Sequence, residues 1–160
     1  MDYLWTPWRY QYVSQGAGNP GCIFCEALKR NNDAETLILF RGQHNFILLN
    51  RFPYTTGHSM IAPFAHGGEL DKAAPEVLGE MMLLAQRLQR AFAALYRPDG
   101  YNLGMNLGRV AGAGVADHLH LHVLPRWGGD TSFMTTVGET RLEPEDLATT
   151  YAKLKPHFQK

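Results

Sequence analysis

Apolar residues recur along this chain in two rhythms. Between Pro75 and Arg97, residues Val77, Leu78, Met81, Leu84, Ala85, Leu88, Phe92 and Leu95 follow i, i+3, i+4, i+7 spacing. That spacing gives one face of an amphipathic helix of about twenty residues, with Pro75 suited to its first position. Arg97-Pro98-Asp99-Gly100 ends it. Short β-branched and aromatic runs bounded by Gly, Pro and Asn predict strands at 36–40 and 45–50, around the turn Arg41-Gly42-Gln43. Further strands are predicted at 58–63, stopped by Pro63, at 101–107 and at 117–125. A short helical stretch follows Cys22-Ile23-Phe24-Cys25 to about Asn31, and Pro144-Glu145-Asp146 opens a second helix to about Leu154. The predicted fold class is α+β: a mostly antiparallel five-stranded sheet, one long helix and a short C-terminal helix.

The chain has 160 residues, which suits a single domain. Fifteen basic residues balance fifteen acidic ones. Zero net charge argues against general nucleic-acid binding or a membrane surface, both of which need a basic excess. It leaves room for a small anionic ligand held by local donors. No run of 18 apolar residues exists, and Met1-Asp2-Tyr3-Leu4-Trp5 lacks the charged start of a secretory leader. Two cysteines are too few for a disulfide scaffold, so a cytoplasmic location is expected. Tyr3, Trp5, Trp8, Tyr10 and Tyr12 form an aromatic arm, too apolar to hang in water and expected to pack on the body or a second subunit.

Asp117-His118-Leu119-His120-Leu121-His122-Val123-Leu124-Pro125 is the most informative stretch. Strand side chains alternate, so the three histidines share one face and Leu119, Leu121 and Val123 share the core side. Two chemistries compete for such a row. Neutral imidazoles can ligate a zinc ion, or one imidazole can act as a nucleophile while its neighbours orient it or stabilise charge. No carboxylate follows His122 closely. Arg126 fits an anionic ligand and surface solvation equally well. The Cys22-x-x-Cys25 pair is open to redox, metal-binding or incidental readings. Asn19-Pro20-Gly21 ahead of it is not the strand that a redox motif expects.

The stretch His118-Leu119-His120-Leu121-His122-Val123-Leu124 resembles the histidine-triad (HIT) pattern at every position. The segment from Asn50 to Pro63, with Pro53 and Gly57-His58, is similar to that family's strand–turn–strand. Trp5-Thr6-Pro7-Trp8-Arg9, Gly104-Met105-Asn106-Leu107-Gly108 and Pro125-Arg126-Trp127-Gly128-Gly129-Asp130 resemble its bacterial branch that includes diadenosine tetraphosphate phosphorylases. The resemblance implies a single HIT domain: an arm over 1–21, a core over 22–127 and a C-terminal extension over 128–160.

It further implies nucleotidyl transfer at an α-phosphate. His120 is the expected nucleophile, with one ring nitrogen fixed by a backbone carbonyl on its own strand, and His122 the donor to a phosphate oxygen. His58 is the supporting histidine, Asn50 a ribose contact, and Asn106 an amide near the phosphates. Gly112, Ala113 and Gly114 lie in a loop whose backbone N–H groups are suited to phosphate. Trp127 is expected against a nucleotide or a neighbouring subunit, though packing explains it equally.

Several branches carry Ser or Thr just before the first histidine to assist the leaving group; Gly114 and Val115 stand here. Structural zinc on Cys22, Cys25, His66 and His118 is implied, with His44 as an alternative donor in a turn. The expected reaction is phosphorolysis of diadenosine tetraphosphate to ATP and ADP, with inorganic phosphate as acceptor and Mg or Mn accompanying the polyphosphate. Competing readings are a HIT hydrolase of such nucleotides or of AMP-amines, a nucleotide-binding signalling protein, and a zinc hydrolase. A homodimer or higher homo-oligomer is expected.

Overall fold

The computed structural model describes residues 21–130 and 144–159. The aromatic arm and residues 131–143 of the expected C-terminal extension lie outside the described residues. The elements are α1 (Ile23–Lys29), α2 (Asp33–Thr36), β1 (Ile38–Arg41), β2 (Asn45–Leu49), β3 (Ser59–Pro63), α3 (Pro75–Tyr96), β4 (Gly100–Gly104), β5 (Leu121–Arg126) and α4 (Leu147–Leu154). The strands form one sheet in the order β1-β2-β3-β5-β4, and every neighbouring pair is antiparallel. The α+β class, five-stranded antiparallel sheet, long helix and short C-terminal helix agree with the sequence pattern.

Helix α3 buries Met81, Leu84, Ala85, Leu88, Ala91 and Phe92, as its periodicity requires. These pack with Ile47, Leu49, Ile61, Leu119, Leu121 and Val123 on one face of the sheet. A second cluster covers the opposite face, where Phe24 of α1 meets Phe46, Leu48, Met60 and Ala62. The Glu80 carboxylate of α3 clasps the β1–β2 turn, accepting backbone N–H bonds from Gln43 (2.6 Å), His44 (2.8 Å) and Asn45 (2.8 Å) and one from the Asn45 side chain (2.9 Å). Burial raises the pKa of this carboxyl, but those hydrogen bonds outweigh it and leave the group below its ordinary value.

Several boundaries differ from the expectations, and the C-terminal helix starts at Leu147 with Asp146 as its cap rather than at Pro144. The first strand starts at Ile38 rather than at residue 36, because Asn32 caps a helical turn through the Glu35 N–H and Leu37 closes it at φ 62°. The strand expected over 101–107 leaves the ladder after Gly104. The histidine strand joins the ladder only at Leu121, so His118 and His120 precede it.

Candidate functional site

The site forms where the residues ahead of β5 pass the end of β3 and the start of α1. Residues 117–120 are held by unusual partners. Leu119 N–H donates to the Gly67 carbonyl (2.7 Å), and His118 donates from Nε2 to the Pro63 carbonyl (2.9 Å). The sides still alternate as in a strand: Leu119, Leu121 and Val123 enter the α3 cluster, while His118 and His120 lie against Phe24 of α1, all of them buried. Phe24 stands against that face, its ring centroid 5.0 Å from both His118 and His120.

Each imidazole has a tautomer that its partners dictate. The His118 carbonyl can only accept, so His120 carries its proton on Nδ1, 2.8 Å away, and keeps the Nε2 lone pair. Tyr54 N–H can only donate, and it reaches His58 Nδ1 at 3.1 Å. The His58 proton therefore sits on Nε2, which donates to His122 Nδ1 at 2.8 Å. His122 is left with its proton on Nε2. The His120 and His122 rings meet edge to face at 4.9 Å. Burial holds His118 and His120 below the ordinary imidazole value; burial together with neighbouring His120 pushes His122 down to about 4. The triad is neutral at pH 7, as an imidazole nucleophile requires.

Beside the triad, Cys22, Cys25, His66 and His118 bring one donor atom each to within 4.8 Å of one another. The His118 Nδ1 lies 3.2 Å from Cys22 Sγ and 3.7 Å from Cys25 Sγ, and His66 Nδ1 lies 3.5 Å from Cys25 Sγ. Four ligands around one zinc stand about 3.5 Å apart, so the set fits a closed tetrahedral site. The far ring nitrogen of His118 is held by the Pro63 carbonyl, which orients that ring, and His66 Nε2 lies 3.7 Å from the exposed Asp117 Oδ2. Burial, with neighbouring Cys22, holds the Cys25 thiol above its ordinary value, a penalty that a bound cation reverses.

The other sequence-predicted residues fall in different places. Asn50 sits over His58 (3.4 Å to Nδ1) and accepts the Phe52 N–H through Oδ1 (3.0 Å). Asn106 follows β4 two residues beyond the Gly104–His122 pair and ties to the Gly112 carbonyl at 3.4 Å. Gly112 takes φ 92°, and the N–H groups of Gly112 and Ala113 bond back to Arg109 and Gly108 within the loop. Gly114 is the exposed member of that trio. Trp127 lies five residues past His122, where its indole N–H donates to the Tyr96 carbonyl (3.1 Å) and its ring packs edge-on against Tyr96. There it packs at the end of α3, about 16 Å along the strand from His122.

The residue pattern missed three contributors. Phe24 lies between the two cysteines, and Tyr54 acts through its backbone. Gly68 comes so close to Ala116 that an added Cβ would stand 2.2 Å from its carbonyl oxygen. The pairs Cys-Ile-Phe-Cys and Gly67-Gly68 after His66 were the available signals.

Comparison with known proteins adds four findings. The family model of the HIT domain matches residues 31–129. AP-4-A phosphorylase of Mycobacterium tuberculosis is 36% identical over 158 residues, covering 94% of this chain and 80% of that protein. The adenosine 5'-monophosphoramidase HNT1 of Saccharomyces cerevisiae is 32% identical over 105 residues, 66% of this chain and 62% of that protein. Among solved structures, a Zn-bound histidine triad family protein from Mycobacterium smegmatis has a TM-score of 0.70 at 29% identity, covering 86% of this chain and 93% of that one.

Proposed function

The chain belongs to the HIT family, and on that premise we propose that it transfers a nucleotidyl group from a dinucleoside polyphosphate through a covalent bond to His120. The observation that carries this reading is the fixed tautomer of His120: Nδ1–H on the His118 carbonyl, a free lone pair on Nε2, and a neutral ring at pH 7. Nε2 attacks the α-phosphorus of diadenosine tetraphosphate and an N–P bond forms. The bridging P–O bond breaks and its electron pair leaves with ATP. The ring charge created by phosphorylation is stabilised by the same Nδ1–H bond to the carbonyl, and His122 donates Nε2–H to a non-bridging oxygen as charge develops there. Inorganic phosphate then takes the AMP group from His120 to give ADP. The similarity to AP-4-A phosphorylase over nearly the whole chain favours phosphate over water as the acceptor.

Asn50 is assigned to the ribose, and Asn106 with the Gly114 N–H to the phosphates, where Mg or Mn accompanies the polyphosphate. Cys22, Cys25, His66 and His118 hold a structural zinc, since all four positions of a tetrahedron are taken by protein. A zinc there would fix α1 against the residues ahead of β5. A reducing, cytoplasmic setting suits two thiols that must stay free for a metal, and the working unit is a homodimer. The yeast relative favours a second reading, cleavage of AMP-amines at the same histidine.

The test is incubation with diadenosine tetraphosphate labelled at the α-phosphates. ATP plus ADP formed only when phosphate is present, with a labelled adduct on His120 that His120→Asn abolishes, is the expected result. ATP plus AMP in buffer alone would make the protein a hydrolase, and binding with no adduct would reduce it to a nucleotide sensor.

A further inference from the structure

Cys22 and Cys25 meet two requirements at once: each offers a sulfur to a metal, and the two sulfurs stand close enough to bond to each other. Resting on the structural-zinc reading, we propose that they are a peroxide-sensitive pair, whose oxidation to a disulfide expels the metal and lowers the reactivity of His120 toward nucleotide.

Cys22 caps α1 and Cys25 is the third residue of that helix. The Glu26 N–H donates to the Cys22 carbonyl at 2.9 Å, so the helical turn is already closed at Cys22. Residues three apart on such a turn have Cα atoms about 5 Å apart, inside the 4.4–6.8 Å window of disulfides. The Sγ atoms lie within 4.8 Å of each other, and both point the same way, reaching His118 Nδ1 at 3.2 and 3.7 Å. Rotation about the side-chain bonds covers the remaining gap without unwinding the turn. Both residues are half-buried, which leaves them within reach of a molecule as small as peroxide. The chain has two cysteines in all, so no third thiol competes for the bond.

The oxidant is hydrogen peroxide, and with it the step balances. One thiolate attacks a peroxide oxygen, the O–O bond breaks, and the sulfur becomes a sulfenic acid. The second thiolate attacks that sulfur, an S–S bond forms, and the S–O electron pair leaves with hydroxide. Two electrons pass from the sulfurs to the peroxide, and two protons from solvent complete two waters. Metal binds thiolate, so the disulfide withdraws two ligands, and His66 with His118 cannot close a tetrahedral site. A four-residue loop gains little stability from closure, which makes the bond one of the labile, reducible kind.

The consequence for His120 runs through α1. A metal held by all four donors joins α1, through the two sulfurs, to His66 beyond β3 and to His118 ahead of β5. Between the two cysteines, Phe24 stands 5.0 Å from both His118 and His120. When the ion leaves, that cross-link is lost from the turn that carries Phe24. His118, whose carbonyl holds the His120 proton, keeps the Pro63 carbonyl but loses the metal. Loss of an orienting partner of this kind costs about 10–100-fold in activity.

The experiment treats full-length, zinc-loaded protein with a small excess of hydrogen peroxide. It reads zinc release with a chromophoric chelator, chain mass, and AMP adduct formation on His120 from labelled diadenosine tetraphosphate. One zinc should leave per chain in step with the loss of two hydrogens per chain. Adduct formation should fall about 10–100-fold and return with dithiothreitol and zinc. Zinc retained by a chain that gains oxygen, a disulfide formed with the metal still bound, or a bond between chains would each overturn the proposal. Reduced protein stripped by a chelator should show the same fall in adduct formation, and an undiminished rate would refute the link through α1. A protein that takes up no zinc removes the structural-zinc reading and this inference with it. Zinc release and chain mass are read without nucleotide. Absence of any adduct on untreated protein therefore overturns the transfer reading and the effect on His120, while the other two readouts decide the oxidation.

Discussion

Replacing Gly68 by alanine puts a Cβ 2.2 Å from the Ala116 carbonyl oxygen and 3.1 Å from the Asp117 Cα, where ordinary contact begins at 3.4 Å. Both neighbours are backbone, so no side chain can swing aside. The two segments must part by about 1 Å, an overpacking that costs roughly 1–3 kcal/mol. The displacement falls between the donors His66 and His118, on the segment that Gly67 also joins to Leu119. Metal sites tolerate ligand distances to within about 0.2 Å, so a shift of this size removes His66 from the set. Losing orientation of a ligand lowers metal affinity about 10–100-fold, and losing the ligand outright should exceed that range. Gly67 is the internal control, because nothing lies within 4 Å of its added Cβ. Competition with a chromophoric chelator should find Gly68→Ala weakened about 100-fold or more for zinc, close to His66→Ala, and Gly67→Ala near wild type. If Gly68→Ala holds zinc within threefold of the wild-type protein, the close approach of these backbones does not assemble the site.

Two further substitutions probe the rest of the framework. An imidazole held near 4 in the fold and near 6.5 when unfolded takes up its proton only on unfolding in the window between, so His122 makes stability fall as pH drops from about 6.5 to about 4. Thermal melts at pH 7 and pH 4 should show wild type losing about 2–3 kcal/mol more than His122→Gln, and parallel profiles would contradict the burial of that ring. Glu80→Gln keeps the shape of the clasp on the β1–β2 turn but loses the charge and replaces one acceptor by a donor, at a cost of about 2–3 kcal/mol in urea unfolding. A loss below about 0.5 kcal/mol would mean that water replaces the carboxylate at that turn.

The parts of this molecule legible in its sequence are those set by local periodicity. Helix α3 follows from its apolar face because 22 residues repeat one rule, and the inward side of the histidine run follows from alternation alone. The residues that the pattern misplaced are fixed by particular partners, near or far along the chain, rather than by a period. Thr36 reads as β-branched strand, yet the Asn32 cap and the positive φ of Leu37 draw it into a helical turn. Residues 117–120 read as ladder, but β3 pairs with β5 only from Ser59 to Ile61, and beyond that its Pro63 carbonyl is taken by a side chain, the His118 ring. That substitution of an imidazole for a ladder rung ties the two functional clusters together. One nitrogen of His118 holds β3, the other completes the donor set, and the carbonyl of the same residue fixes the proton of His120. The orientation of His120, the proposed nucleophile, is therefore set by the residue that completes the donor set rather than by the sheet, so a shift of His118 disturbs both clusters at once.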